Sequence, residues 1–269
     1  MPYKYISVAE VATYVRHTGP TTLPGHLPDL PRGETLLLVH GAGSNQGVFD
    51  GVFDHLGGRL SAVAFDQPGH GCSGALDSLG SIEALAKFTR ELVGALGLEK
   101  PVVFGHSMGG AIAIQYALTC PDALRALVIS GSAPRFEGVD ATLEATRLVA
   151  EGKARRAFVR EMYAPDATPE VMQRGFMVDL ETDPRAQLGD LIACRDWGGD
   201  PDLESIAVPT LVVRGEHEFD AIASGCEELV RRIPDARLSV IPGAAHKLPI
   251  EQPEALTEAV VGFLAEVAR

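Results

Sequence analysis

The sequence predicts an α/β fold, in which a mostly parallel sheet carries helices on both faces. Short apolar runs recur along the chain, and beyond residue 60 most of them are followed by a segment with helical spacing of apolar residues. Strands that alternate with helices are typical of parallel sheets, because the helical crossovers cover both faces. A chain of 269 residues is long enough to form one such domain with a sizeable core.

The predicted strands are short and apolar or rich in β-branched residues. They comprise residues 3–8, 12–16, 35–39, 61–65, 101–104, 124–130, 209–213 and 237–241. Between the second and the third lies a Pro/Gly-rich loop, residues 19–33, which is incompatible with regular structure.

Four segments have helical periodicity: residues 81–96, 111–118, 221–233 and 253–268. The first has a clear start, because Ser81 is a favourable N-cap residue and Glu83 complements the helix dipole in the first turn.

One long stretch interrupts the alternation of strands and helices. Residues 133–206 are charged, rich in Ala, Arg and Glu, and contain no convincing strand. Because this stretch lies between two predicted strands, we interpret it as a helical cap inserted over one edge of the sheet. The predicted organisation is therefore a core of residues 1–132 and 207–269, with a cap of residues 133–206.

Composition excludes some classes of partner. The chain has 23 Lys and Arg against 36 Asp and Glu, a formal charge of −13, which disfavours nucleic acids and anionic membranes. The N-terminal residues lack the apolar run of a signal peptide, and the four cysteines form no C-x-x-C pair. These features predict a cytoplasmic protein with reduced thiols, as a monomer or a homodimer.

The strongest chemical signal is a G-x-S-x-G pattern, residues 105–109, placed between a predicted strand and a predicted helix. In this context the glycines permit a sharp turn that exposes the hydroxyl of Ser107 at the carboxyl end of the sheet. The sequence therefore predicts Ser107 as a nucleophile.

A serine nucleophile needs a base and an orienting carboxylate. His246 follows the last predicted strand. Of the other seven histidines, two lie in the N-terminal segment, one in a helix-like stretch and three in glycine motifs, and His217 follows a strand at the position where the carboxylate is expected. Three carboxylates, Glu216, Glu218 and Asp220, follow the preceding strand, and composition alone does not choose between them.

Acyl transfer also requires donors to the oxyanion. The backbone N–H of Met108, directly after the nucleophile, is one candidate. The second is expected in the small-residue loop 40–44, where we favour Ala42, with Gly43 as the alternative.

With these motifs in this order, the chain resembles the α/β-hydrolase superfamily over nearly its whole length. The matching segments are residues 40–43, 66–74, 105–110, 209–215 and 243–246. The resemblance implies an eight-stranded, mostly parallel sheet with a helical cap over the active site. It also implies that residues 66–74 form a structural turn without a catalytic role.

The family usually has an aspartate three residues after the glycine that corresponds to Gly215, and this chain has Glu218 there. Glutamate is the acid in some relatives, so Glu218 is the first candidate and Asp220 the alternative.

The expected reaction is hydrolysis of a small-molecule carboxylic ester through an acyl-enzyme on Ser107, without cofactor or metal. The alternatives on the same triad are a lactonase, a thioesterase and a C–C bond hydrolase. Outside hydrolysis, the fold also serves small-molecule receptors and non-hydrolytic lyases. Arg135, Phe136 and Trp197, in the predicted cap, are candidates for the substrate pocket.

Overall fold

A computed structural model describes residues 2–30, 35–198 and 201–267, and in them eight strands form one sheet. The strands are β1 (Tyr3–Val8), β2 (Val11–His17), β3 (Thr35–Val39), β4 (Ser61–Phe65), β5 (Val102–His106), β6 (Ala126–Ser130), β7 (Thr210–Gly215) and β8 (Ala236–Ile241).

The strand order is β1-β2-β4-β3-β5-β6-β7-β8. The β1–β2 and β2–β4 pairs are antiparallel, and all the other pairs are parallel. The prediction of an eight-stranded, mostly parallel sheet is confirmed. Because β3, β5, β6, β7 and β8 run in one direction, the loops at their carboxyl ends meet at one edge of the sheet.

Nine helices are present in the described residues. They are α1 (Asp50–Leu56), α2 (Ile82–Leu96), α3 (Met108–Thr119), α4 (Val139–Ala150), α5 (Pro169–Leu180), α6 (Pro184–Asp196), α7 (Asp220–Arg232), α8 (Leu248–Glu251) and α9 (Pro253–Val267). The N-cap predicted for α2 is present, since the Ser81 hydroxyl accepts from Ala84 N–H at 3.1 Å. No helix in the described ranges has the length and apolar character that a membrane crossing requires.

The core lies on both faces of the sheet. In β3, Leu36 and Leu38 pack with residues of α1 and α9, whereas Leu37 and Val39 pack on the opposite face with residues of α2, α3 and α7. All four side chains are essentially inaccessible to solvent. This burial explains why the central strands are continuously apolar instead of alternating.

The segment between β6 and β7 contains α4, α5 and α6, and its described residues include no strand. We refer to this segment, residues 131–209, as the cap. Parts of three predicted elements lie outside the described residues: positions 31–33 of the Pro/Gly-rich loop, 199–200 of the insertion and 268 of the last helix.

Asp66, at the end of β4, stabilises the turn that follows it. One carboxylate oxygen accepts from Gln46 N–H at 2.8 Å and the other accepts from Cys72 N–H at 2.8 Å. The residue is 1% exposed, and burial raises the pKa of its carboxyl group from 3.8 to about 6 despite these two hydrogen bonds. The folded state therefore holds a proton here that the unfolded chain has already lost between about pH 4 and about pH 6.

We expect Asp66→Asn to change the pH dependence of stability. The raised pKa stabilises the wild-type fold at low pH, and this contribution disappears as the pH rises through about 6. The asparagine variant does not titrate, so its free energy of unfolding should rise relative to wild type by up to about 3 kcal/mol between pH 4 and pH 7. Urea unfolding of both proteins at several pH values measures this difference. A difference that stays constant over this range would contradict the assignment.

Candidate active site

Ser107 lies in the tight turn between β5 and α3, with backbone angles φ 55° and ψ −122°. Such angles are unfavourable for a residue with a side chain and are typical of a serine on a nucleophile elbow. The turn also requires Gly109, because a Cβ atom there would lie 2.1 Å from the carbonyl oxygen of Val39. The predicted strand–turn–helix context of Ser107 is present.

Three side chains form a continuous hydrogen-bonded line. The Ser107 hydroxyl lies 3.0 Å from Nε2 of His246, and Nδ1 of His246 lies 2.9 Å from Oε1 of Glu218. His246 follows β8, and Glu218 follows β7, so two adjacent parallel strands deliver the imidazole and the carboxylate. His246 and Glu218 are 8% and 7% exposed, which shields this pairing from water. The arrangement permits proton transfer from the hydroxyl to an oriented imidazole.

Gly131, just after β6, makes room for the carboxylate of Glu218. A Cβ atom at Gly131 would lie 2.9 Å from Oε2 of Glu218 and 3.6 Å from Nδ1 of His246. Gly131 also has φ +55°, a conformation that residues with side chains rarely adopt. The side chain of Glu218 thus occupies space that a larger residue at position 131 would take.

We expect Gly131→Ala to lower kcat for the Ser107-dependent reaction about tenfold or more, because the new methyl group displaces the carboxylate that orients His246. Gly138→Ala is the matched control. Gly138 also has a positive φ of +73°, but a Cβ atom there would meet nothing within 4 Å. Steady-state kinetics together with thermal unfolding should show strain in both variants and a loss of kcat only in Gly131→Ala. Equal kcat values would contradict the steric argument.

Two backbone N–H groups are available near Ser107. Met108 is the first residue of α3, so its N–H has no acceptor within the helix. The N–H of Ala42 has no acceptor among the residues that the structure describes. The N–H of Gly43, the alternative candidate, donates instead to Oδ2 of Asp190 at 2.9 Å. The geometry therefore leaves Ala42 and Met108, and not Gly43, available to a substrate oxygen.

His106 directly precedes Ser107 and lies beside His246. Its ring centroid lies 5.4 Å from that of His246, and the side chain is buried. Burial, with a further contribution from the neighbouring His246, lowers the pKa of His106 well below its ordinary value. His106 is therefore neutral near neutral pH and places no positive charge beside His246.

One residue of the cap, Met162, lies beside Ser107 and His246. The cavity beside Ser107 has a volume of about 20 Å³ and is lined by Gly41, Ala42, Ser44, Val48, His106, Ser107, Met162, His246 and Lys247. Lys247 is 5% exposed, and its ammonium group contacts both carboxylate oxygens of Asp179 in α5, at 2.6 and 2.8 Å. This ion pair fastens the loop of His246 to the cap.

Glu251 in α8 makes a second connection between the cap and the His246 loop. One of its carboxylate oxygens accepts from Ala164 N–H at 2.6 Å, and the other accepts from Ala245 N–H at 2.9 Å. Burial raises the pKa of Glu251 above its ordinary value. The residue before the imidazole is therefore held by a carboxylate that also binds the cap.

The structure does not bring the other predicted pocket residues to this cavity. Arg135 is exposed, pairs with Glu137 and Glu228, and lines a separate surface groove together with Asp220. Trp197 is buried against α3, where its indole N–H donates to Gln115 at 3.2 Å, and Phe136 packs beside its ring. Arg135 and Phe136 follow the end of β6 in sequence, but Phe136 and Trp197 pack in the hydrophobic cluster shared with α2, α3 and α7, and none of the three lines the cavity beside Ser107.

Several residues at the site had no role in the sequence prediction. Gly131, Met162, Asp190 and Lys247 lie near the line formed by Ser107, His246 and Glu218 or near residues 40–44. We name these two features the catalytic line and the oxyanion loop after their predicted roles. Only Lys247 had a signal in the sequence, because it directly follows the predicted base. The others come from the cap or from a turn that matches no motif.

The chain resembles known proteins over most of its length. It is 29% identical over 250 residues, 88% of this chain, to polyketide synthase ThaQ from Burkholderia thailandensis, although it spans only 12% of that protein. It is 27% identical over 245 residues to 2-(acetamidomethylene)succinate hydrolase from Mesorhizobium japonicum, with 86% of this chain and 88% of that protein covered.

Solved structures also resemble this chain over most of its length. A thermophilic esterase from Thermogutta terrifontis, solved with malate bound, superimposes with a TM-score of 0.82 at 26% identity and covers 99% of both chains. A model of the alpha/beta hydrolase family matches residues 36–259, which include Ser107, Glu218 and His246. The chain belongs to the alpha/beta hydrolase family.

Proposed function

We propose that this protein is a serine hydrolase that cleaves carboxylic esters of small molecules through an acyl-enzyme on Ser107. The observation that carries the proposal is the line from Ser107 through His246 to Glu218, with spacings of 3.0 and 2.9 Å. The available N–H groups of Ala42 and Met108 beside the same hydroxyl support it. The similarity to an esterase and to a hydrolase of an acetamido compound also favours hydrolysis of a carboxylic acid derivative.

In the proposed reaction, Oγ of Ser107 attacks the ester carbonyl carbon while Nε2 of His246 takes the hydroxyl proton. The carbonyl oxygen becomes an oxyanion that accepts from Ala42 N–H and Met108 N–H. The bond from carbon to the alcohol oxygen then breaks, and His246 gives its proton to the departing alcohol. A water molecule, deprotonated by His246, attacks the acyl-enzyme and releases the carboxylic acid and Ser107.

Glu218 has a separate role in this proposal. Its Oε1 atom accepts from Nδ1 of His246 and also from Phe219 N–H at 3.0 Å, which fixes the direction of the carboxylate. The carboxylate keeps the proton on Nδ1, so that Nε2 is free to accept from Ser107. It also stabilises the imidazolium in both halves of the reaction.

The small volume beside Ser107 suggests a short acyl group. A cavity of about 20 Å³ accommodates little more than a water molecule. A second cavity of about 70 Å³ shares Met162 with it and is bordered by the aromatic side chains of Phe158, Tyr163 and Phe176. We assign the larger, more apolar part of the substrate to this second cavity.

A substrate panel tests the proposed function. It consists of p-nitrophenyl acetate, butyrate and octanoate, a lactone, an acyl thioester, a vinylogous diketone acid and a cyanohydrin, each with wild type and Ser107→Ala. We expect the acetate to be hydrolysed fastest, with a mass increase of one acetyl group on Ser107 in the quenched enzyme. Turnover of the lactone, thioester or diketone alone would reassign the substrate on the same triad, and turnover of the cyanohydrin alone would indicate a lyase. If wild type turns over nothing faster than the variant, the proposed function is wrong.

A further inference from the structure

Asp190, in α6 of the cap, is a fully buried carboxylate that binds three groups of the core domain. Its Oδ2 atom accepts from Gly43 N–H at 2.9 Å and from Nε2 of His70 at 2.7 Å. Its Oδ1 atom accepts from the hydroxyl of Ser78 at 2.6 Å. A carboxylate with no solvent exposure is stable only when such partners replace its hydration. The catalytic line does not use it.

The contacts of Asp190 lie next to the proposed oxyanion donor in the oxyanion loop. Gly43 directly follows Ala42, whose N–H is one of the two proposed oxyanion donors. On the next residue, the carbonyl oxygen of Ser44 accepts from the hydroxyl of Thr182 in the cap at 2.8 Å. Gln187, three residues before Asp190, covers Gly43 so closely that a Cβ atom there would lie 2.5 Å from its Cγ atom. The cap therefore binds the loop immediately after Ala42 by a donor, an acceptor and a packing contact.

The contact between His70 and Asp190 holds the Asp190 carboxylate in place. His70 is buried, and its ring lies 5.0 Å from the ring of His40, at the start of the oxyanion loop. Burial by itself lowers the pKa of His70, but the Asp190 carboxylate, with further contributions from the Pro68 carbonyl and Asp66, outweighs burial, and the net shift is upward. A charge-assisted contact of this kind is stronger than one between neutral groups. Asp190 is thus held from the core side by His70 and Ser78 while it holds Gly43.

We infer that Asp190 is a positioning residue that fixes Gly43, and through it the N–H of Ala42, at the place where the substrate oxyanion forms. The inference rests on the proposed function, because the oxyanion loop has a role only in that reaction. Because Asp190 belongs to the cap, the same carboxylate holds the cap on the core and fixes the position of the oxyanion loop.

The test compares Asp190→Ala and Asp190→Asn with wild type. Alanine removes the acceptor, and we expect kcat for the fastest ester to fall about 10- to 100-fold, with KM within about threefold, because an oxyanion donor acts in the transition state. Asparagine can present its oxygen to Gly43 and His70 and its amide N–H to Ser78. It should therefore keep kcat within about threefold of wild type. A folded Asp190→Ala variant with wild-type kcat, or with a change in KM alone, would overturn the inference.

Asp183→Ala separates positioning from a general loss of stability. Asp183 caps the start of the same helix, where it accepts from Arg185 N–H at 2.8 Å, and it does not contact the oxyanion loop. The Asp183→Ala substitution should lower the thermal unfolding temperature and leave kcat unchanged. If Asp190→Ala fails to fold, Asp190→Asn decides: a retained kcat supports positioning by hydrogen bonds, and a tenfold loss overturns it.

A fluorophosphonate distinguishes failure of this inference from failure of the proposed function. This probe phosphonylates a serine nucleophile, and its phosphoryl oxygen takes the oxyanion position without any ester substrate. We expect Asp190→Ala to react with it about tenfold or more slowly than wild type, by intact mass. Slow labelling of the variant supports the inference even if wild type hydrolyses no ester. Equal labelling rates with active ester hydrolysis overturn the inference and leave the function standing.

Discussion

Ser107→Ala is expected to lower kcat for ester hydrolysis about 10⁵-fold or more, because it removes the atom that forms the covalent bond to the acyl group. KM should change little, since the lost hydroxyl contributes mainly to the transition state. The hydroxyl makes a hydrogen bond to His246 and none to the packing core, so the thermal unfolding temperature should stay close to wild type. Steady-state kinetics with p-nitrophenyl acetate and a thermal melt measure both effects.

A matched serine elsewhere on the surface controls for the substitution itself. Ser224 is exposed in α7 and lines the groove next to Arg135, away from the catalytic line. Ser224→Ala should retain wild-type kcat and should still be labelled by a fluorophosphonate. Substantial turnover by Ser107→Ala would mean that another group performs the attack, and the acyl-enzyme mechanism would have to be abandoned.

The fold was predictable from sequence because its strands are buried on both faces. The predicted strands at residues 3–8, 35–39 and 61–65 coincide with β1, β3 and β4, and the other five differ by one or two residues at their ends. Strands β2, β5, β7 and β8 continue beyond the apolar run at one end or both, whereas β5, β6 and β7 begin one or two residues after the predicted start. In β5, for example, Gly105 and His106 extend the strand up to the nucleophile through pairing with β6.

The catalytic line was predictable where the chemistry depends on local sequence. Ser107 directly follows β5 and His246 lies in the loop after β8, so the parallel topology brings both to the same edge of the sheet. The choice between Glu218 and Asp220 depended on where α7 begins. The helix starts at Asp220 and turns that side chain outward to the groove, whereas Glu218 lies before the helix and faces His246.

The cap was the least predictable part, because its contacts are set by tertiary packing. Asp190 lies 147 residues from Gly43 in sequence, and Asp179 lies 68 residues from Lys247. No periodicity distinguishes these carboxylates from the exposed ones beside them. Arg135 and Phe136 were chosen because they follow a strand end in sequence, and Trp197 because it lies in the predicted cap. Neither criterion gives information on the direction of the chain after Gly131.

The second large effect is expected for Glu218→Gln, which should lower kcat about 10³- to 10⁴-fold with little change in KM. The glutamine can turn its amide N–H toward Nδ1 of His246, which forces the proton onto Nε2 and removes the acceptor for the Ser107 hydroxyl. If it turns its oxygen there instead, the geometry is kept but the imidazolium loses the negative charge that stabilises it. Either orientation impairs proton transfer, and neither removes a group that binds substrate.

Asp220→Asn is the matched control, since it neutralises a carboxylate two residues away that makes no contact with His246 among the described residues. It should leave kcat within about twofold of wild type, as is usual for an exposed substitution away from the reacting groups. A large loss in Asp220→Asn with an active Glu218→Gln would reassign the acid to Asp220. Comparable losses in both would instead show that the loop after β7 tolerates no loss of charge, and orientation of His246 by a single carboxylate would no longer explain catalysis.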